Sequence, residues 1–127
     1  MSCPIANVSP AARAVHTFAA IVSASRFGLE RMALGPQSEA GRAQWRVVFT
    51  SNAVSVWAHG ITDGTLAVSL FVSDAERTAA MLRDMSWMAV ASTASRGEVR
   101  LSGLSPIGAA AVVERTLRAH AATSSVA

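Results

Sequence analysis

The stretch that decides the fold is residues 54–72, VSVWAHGITDGTLAVSLFV. Val54, Val56 and Ala58 alternate with Ser55, Trp57 and His59. After Gly60 to Gly64, Leu66, Val68, Leu70 and Val72 alternate with Ala67, Ser69 and Phe71. A period of two puts alternate residues on opposite faces of a strand, and a short glycine-bounded segment containing Asp-Gly joins two such strands as a hairpin. The apolar set of both strands predicts a face packed on a core. The other set carries two large aromatic rings and predicts a second face too apolar for bulk water.

Upstream, Trp45, Val47 and Phe49 alternate with Arg46, Val48 and Thr50, which gives a third strand joined to the hairpin through a turn at Ser51-Asn52. Ser9-Pro10 predicts a helix start, because the serine hydroxyl can accept from a free backbone N–H and proline at the first helical position sacrifices no hydrogen bond. Val15, Phe18, Val22, Leu29 and Met32 then recur at helical spacing, so one long amphipathic helix is expected to run to Gly35-Pro36, weakened at Gly28, with a loop over residues 36–43.

Downstream, Ser73-Asp74-Ala75-Glu76 has the form of a capping box opening a helix over 75–85 that buries Leu82 and Met85 with Ala79 or Met81. Residues 86–93 alternate as a strand would, although helix could also continue there. Arg96-Gly97 turns into a half-exposed strand from Glu98 to Gly103, with Val99 and Leu101 opposite Glu98, Arg100 and Ser102. Ser105-Pro106 opens a last helix to His120, with Ala110, Val113 and Leu117 on one stripe, before a tail over 121–127. The expected order is α-β-β-β-α-β-β-α: one α+β domain over 1–127 with a mostly antiparallel five-stranded sheet and loose ends at 1–8 and 121–127.

Composition narrows the function. At 51% hydrophobic and 15% charged residues the body of the chain is not disordered. No apolar run approaches the roughly 18 residues of a membrane-spanning helix. All 11 basic residues are arginine. Five of them face only Glu30 and Glu39 in residues 1–62, so the net charge of +3 belongs to the first half. Arg13, Arg26, Arg31, Arg42 and Arg46 are scattered and form no dense basic stripe, which argues against nucleic acid as a partner. Residues 1–29 lack acids, as transit peptides do. The absence of charge before Arg13 and the interruption of the apolar stretch by His16 favour mature structure over a secretory signal. The lone Cys3 cannot form an internal bridge, and a reduced, cytoplasmic setting is expected.

Chemistry-bearing motifs are absent. His16, His59 and His120 fall on three different elements, no serine sits in a Gly-x-Ser-x-Gly elbow, and no glycine-rich loop carries the lysine of a phosphate cradle. Asp63, Asp74, Glu76 and Asp84 each have a turn, capping or surface role. No cofactor, metal or catalytic residue is therefore assigned. The candidate site is the second sheet face, with Val48, Trp57, Ala67 and Phe71 as partner-binding residues, since exposed apolar patches with aromatic centres mark binding surfaces. A covering helix would be the alternative use of these side chains.

The segment Phe18-Ala-Ala-Ile-Val-Ser-Ala-Ser-Arg-Phe-Gly-Leu29, followed by three strands, a short helix, two strands and a last helix, resembles the class I chaperones of type III secretion. The resemblance covers most of the chain in size and element order. It implies a small non-enzymatic homodimer that holds an extended segment of a secreted protein on its surface. The basic charge departs from that family, whose members are usually acidic. Residues 64–97 are also similar to the C-terminal core of hook-length control proteins. Two other functions stay open at this stage: a small-ligand protein or enzyme with a pocket between sheet and helices near Trp57, His59 and Trp87, and a structural subunit of a larger assembly.

Overall fold

The structure, a computed structural model, describes residues 9–25, 27–39, 42–51, 54–84, 92–95 and 97–126, with only the backbone element given for 37–39, 42–44, 92–95 and 121–126. Its elements are α1 (Pro10–Ala24), β1 (Glu30–Glu39), β2 (Arg42–Thr50), β3 (Ser55–Gly60), β4 (Leu66–Phe71), α2 (Ala75–Arg83), β5 (Ser92–Ser95), β6 (Glu98–Leu104) and α3 (Pro106–Val126). The strands form one sheet in the order β1-β2-β3-β4-β6-β5, and every neighbouring pair is antiparallel. The α+β class with an antiparallel sheet is as expected, but the sheet has six strands rather than five.

The additional strand is β1, and it replaces the second half of the expected first helix. The chain leaves α1 at Ser25, which has extended backbone at φ −90° and ψ 162°. It then passes Gly28 at φ +73°, a conformation that side-chain-bearing residues rarely adopt. From Glu30 onward it pairs with β2, Glu30 opposite Thr50 and Leu34 opposite Val47. The helical spacing of Leu29 and Met32 with Val22 was coincidental: Gly35 and Pro36 disfavour helix, whereas an edge strand tolerates proline. Pro36 stands in β1 opposite Trp45, so residues 36–39 are strand instead of loop. One extra residue, Met32, is accommodated in a bulge between Arg31 and Ala33 and is 60% exposed.

All three described helices pack on one face. Val15, Phe18, Ala19 and Val22 of α1, Ala75, Ala79 and Leu82 of α2, and Ala109, Val112 and Val113 of α3 form a single cluster with Val47, Phe49, Val56, Ala58, Leu66, Val68, Leu70, Val99, Leu101 and Leu104. Phe18 and Phe49 meet edge to face at 6.1 Å. Leu101 and Leu104 both reach this core despite being three residues apart. A second bulge places one extra residue of β6 opposite the Leu66–Val68 step, with Gly103 at φ +72°. The start of α1 lies directly over β3, where Gly60 meets the backbone of Ala11.

The caps are local. Ser9 Oγ accepts from Ala12 N at 3.1 Å and Ser105 Oγ from Gly108 N at 3.0 Å, so both Ser-Pro starts are used as expected. The cap of α2 is Asp74, whose Oδ1 accepts from Arg77 N at 3.1 Å, and Ser73 is not the cap. Val72 N is still bound to Gly97 O at 2.9 Å, so the chain needs Ser73 and Asp74 together to turn off the sheet before Ala75 can be buried. Asp74→Ala should accordingly lower stability by about 1 kcal/mol while Ser73→Ala leaves it within about 0.5 kcal/mol, as read from urea denaturation midpoints. Helix α2 ends at Arg83. Met85 and most of the expected 86–93 strand lie outside the described residues, and a strand is present at Ser92–Ser95. Helix α3 continues through the expected tail to Val126.

In the β3–β4 turn, Ile61 N donates to Thr65 O and Gly64 N to Ile61 O, both at 2.9 Å. The Thr65 hydroxyl and backbone N–H both donate to Asp63 Oδ1, at 2.6 and 2.9 Å, and hold that carboxyl below its ordinary 3.8.

Candidate functional site: the open sheet face

With the helices gathered on one side, no described helix lies on the other. Strand parity sends Arg46, Val48 and Thr50 of β2, Ser55, Trp57 and His59 of β3, Ala67, Ser69 and Phe71 of β4, and Glu98 and Arg100 of β6 to this open face. The register then determines which of them meet. Val48 stands opposite Trp57, Trp57 opposite Ser69, His59 opposite Ala67, and Phe71 between Ser55 and Glu98.

The four candidate residues therefore form one group with Trp57 at its middle. Val48 is its direct cross-strand neighbour, while Ala67 and Phe71 lie diagonally on β4. The Trp57 and Phe71 rings meet at 5.9 Å and 66°, close to edge-to-face. Such a pair contributes about 0.5–1.5 kcal/mol beyond the area it covers. Phe71 remains 39% exposed, and Val48, Trp57 and Ala67 are half-buried.

Arg46, on the other diagonal of Trp57, completes the row. Its guanidinium carbon stands 4.6 Å from the indole centroid. Its Nε is buried without a hydrogen-bond partner. Arg46, Trp57 and Phe71 thus run obliquely across β2, β3 and β4. The row ends at Glu98, which is nearly buried and accepts from Arg100 Nε at 2.9 Å, with the Arg100 side chain 63% exposed. Hydroxyls rim the apolar strip: Thr50 and Ser55 contact at 3.1 Å, and Ser69 faces Arg100.

Arg46, Glu98 and Arg100 were not assigned to the site from sequence. The period-two pattern already placed Arg46 beside Val48 and set Glu98 and Arg100 opposite Val99, so their parity was readable. Their proximity to Trp57 and Phe71 follows from the register, which no local pattern encodes.

The sheet does not gather Trp57 and His59 into a pocket against the helices, because both point to the open side. Trp87 lies outside the described residues, as does Cys3. His16 packs on the core side against Trp45 at 5.0 Å, and His120 Nδ1 lies 2.9 Å from Thr116 O on α3. Among the described residues no three His, Cys, Asp or Glu side chains converge where they could hold a metal ion, and no described helix is long and apolar enough to cross a membrane. What the open face offers chemically is apolar area, two aromatic rings and a guanidinium, a set suited to binding. No family model matches the chain, and no curated protein or solved structure matches it significantly.

Proposed function

We propose that this chain is a non-enzymatic protein-binding module whose open sheet face receives a segment of another protein. The observation that carries this reading is the placement of all described helices on one face, which leaves Val48, Trp57, Ala67 and Phe71 as an apolar strip with no described helix over it. Tryptophan and arginine are the residue types most enriched at the energetic centres of protein interfaces, and here they are stacked on each other. A two-layer domain with helices behind and an open sheet in front also suits the role of a cytoplasmic secretion chaperone, which holds an extended partner segment and works as a homodimer.

The test is site-specific photocross-linking from the source cell. With benzoylphenylalanine in place of Phe71, a single partner protein should be captured through an extended segment. With the same group at Ile107, which is 74% exposed at the start of α3, that product should be absent. Equal capture from both positions, or none from position 71, would remove the sheet face as the docking site. Light scattering at twice the 13.2 kDa chain mass is the outcome the chaperone reading requires. A strict monomer would leave a binding module without the chaperone role.

A further inference from the structure

We propose that the segment received by this face is acidic as well as apolar, and that it sets a carboxylate against Arg46. The inference rests on the docking reading above and names the chemistry of the partner. Two arginines with described side chains project from the face, in different states. Arg100 is balanced by Glu98 at 2.9 Å. Arg46 has no ion pair among the described residues, and its Nε has neither an acceptor nor contact with solvent. A buried donor without an acceptor is costly, and a guanidinium is built to give two parallel hydrogen bonds to one carboxylate. Rotation of the arginine toward an entering carboxylate would give Nε the acceptor it lacks while the stem stays beside Trp57. The Trp57–Phe71 pair next to it supplies the apolar half of the site.

A second copy of the chain is a poorer occupant. The carboxylate its face would bring to the centre, Glu98, is nearly buried and already engaged by Arg100. Glu30 stands at the edge strand beyond Thr50, four residues along β2 from Arg46. A single-stranded nucleic acid also fits less well. Its bases would have to stack on Trp57 in competition with the guanidinium already over that ring, and its phosphates need several free cations in a row.

The experiment uses the full chain and three fluorescein-labelled 12-residue peptides in which leucine alternates with glutamate, glutamine or lysine, read by fluorescence anisotropy. The glutamate peptide should bind tightest. Arg46→Gln should weaken it by about tenfold to a hundredfold, the loss expected for a charge-assisted hydrogen bond, and weaken the glutamine peptide by a much smaller factor. Phe71→Ala, checked for native circular dichroism, should weaken both. Equal binding of the glutamate and glutamine peptides, or indifference to Arg46→Gln, overturns the acidic assignment while leaving the docking face in place. Failure of all three peptides to bind overturns the docking face itself. Displacement of the glutamate peptide by a 12-residue oligothymidine, or conversion of a wild-type dimer to monomer by Arg46→Gln, overturns the proposal in favour of nucleic acid or of a second copy.

Discussion

Gly60→Ala should cost about 3 kcal/mol or more and lower the melting temperature by about 10 °C or more, at the upper end of overpacking effects for a domain of this size. Gly60 ends β3 on the core side, where the first turn of α1 crosses the strand. A Cβ built there would stand 2.7 Å from the Ala11 carbonyl carbon and 2.9 Å from its Cα, and closer still to the carbonyl oxygen. The obstacle is backbone, so trimming Ala11 to glycine cannot relieve it. Either α1 lifts off the sheet or β3 frays from β4 at the Gly60–Leu66 pair. Thermal unfolding followed by circular dichroism reads the loss. A variant as stable as the parent would mean that α1 does not sit on Gly60.

Phe18→Ala should cost about 3–5 kcal/mol, a large share of the roughly 5–15 kcal/mol by which such domains are stable. Phe18 is fully buried at the centre of the helix–sheet layer, edge-on to Phe49 at 6.1 Å, between Val15 and Val22 of its own helix. Removing the ring leaves a cavity bounded by strand and helix backbones that have little room to collapse. Phe18→Leu retains most of the volume and should cost under about 1.5 kcal/mol. The difference between the two variants in urea midpoint, at unchanged denaturant slope, separates cavity formation from a general weakening of α1. Equal losses for both would place Phe18 outside the core.

How much of this molecule is legible along the chain depends on the range of the interaction concerned. In 54–59 and 66–72 every residue lies on the face its parity predicted, because the strand period is a property of the backbone and is repeated there over both strands of a hairpin. The Ser9 and Ser105 caps are equally local, each satisfied within three residues. Residues 29–39 depart from their local pattern for the opposite reason. Leu29 and Met32 continue a helical spacing, and nothing nearby states that β2 will offer a ladder from Thr50 to Arg42 for the chain to pair with. Asp74 rather than Ser73 caps α2 because Val72 is still held by Gly97, a residue 25 positions later.

The candidate site divides along the same line. Its membership, Val48, Trp57, Ala67 and Phe71, was determined by alternation alone, since a two-residue period needs no knowledge of the partner strand. Whether a described helix would lie on that face, and what would stand next to Trp57, was decided only by the tertiary structure. The side on which three helices settle and the register that brings Arg46 over the indole depend on contacts between residues far apart in sequence. Those contacts are selected by the packing of the whole core and leave no signature in the local pattern of either strand.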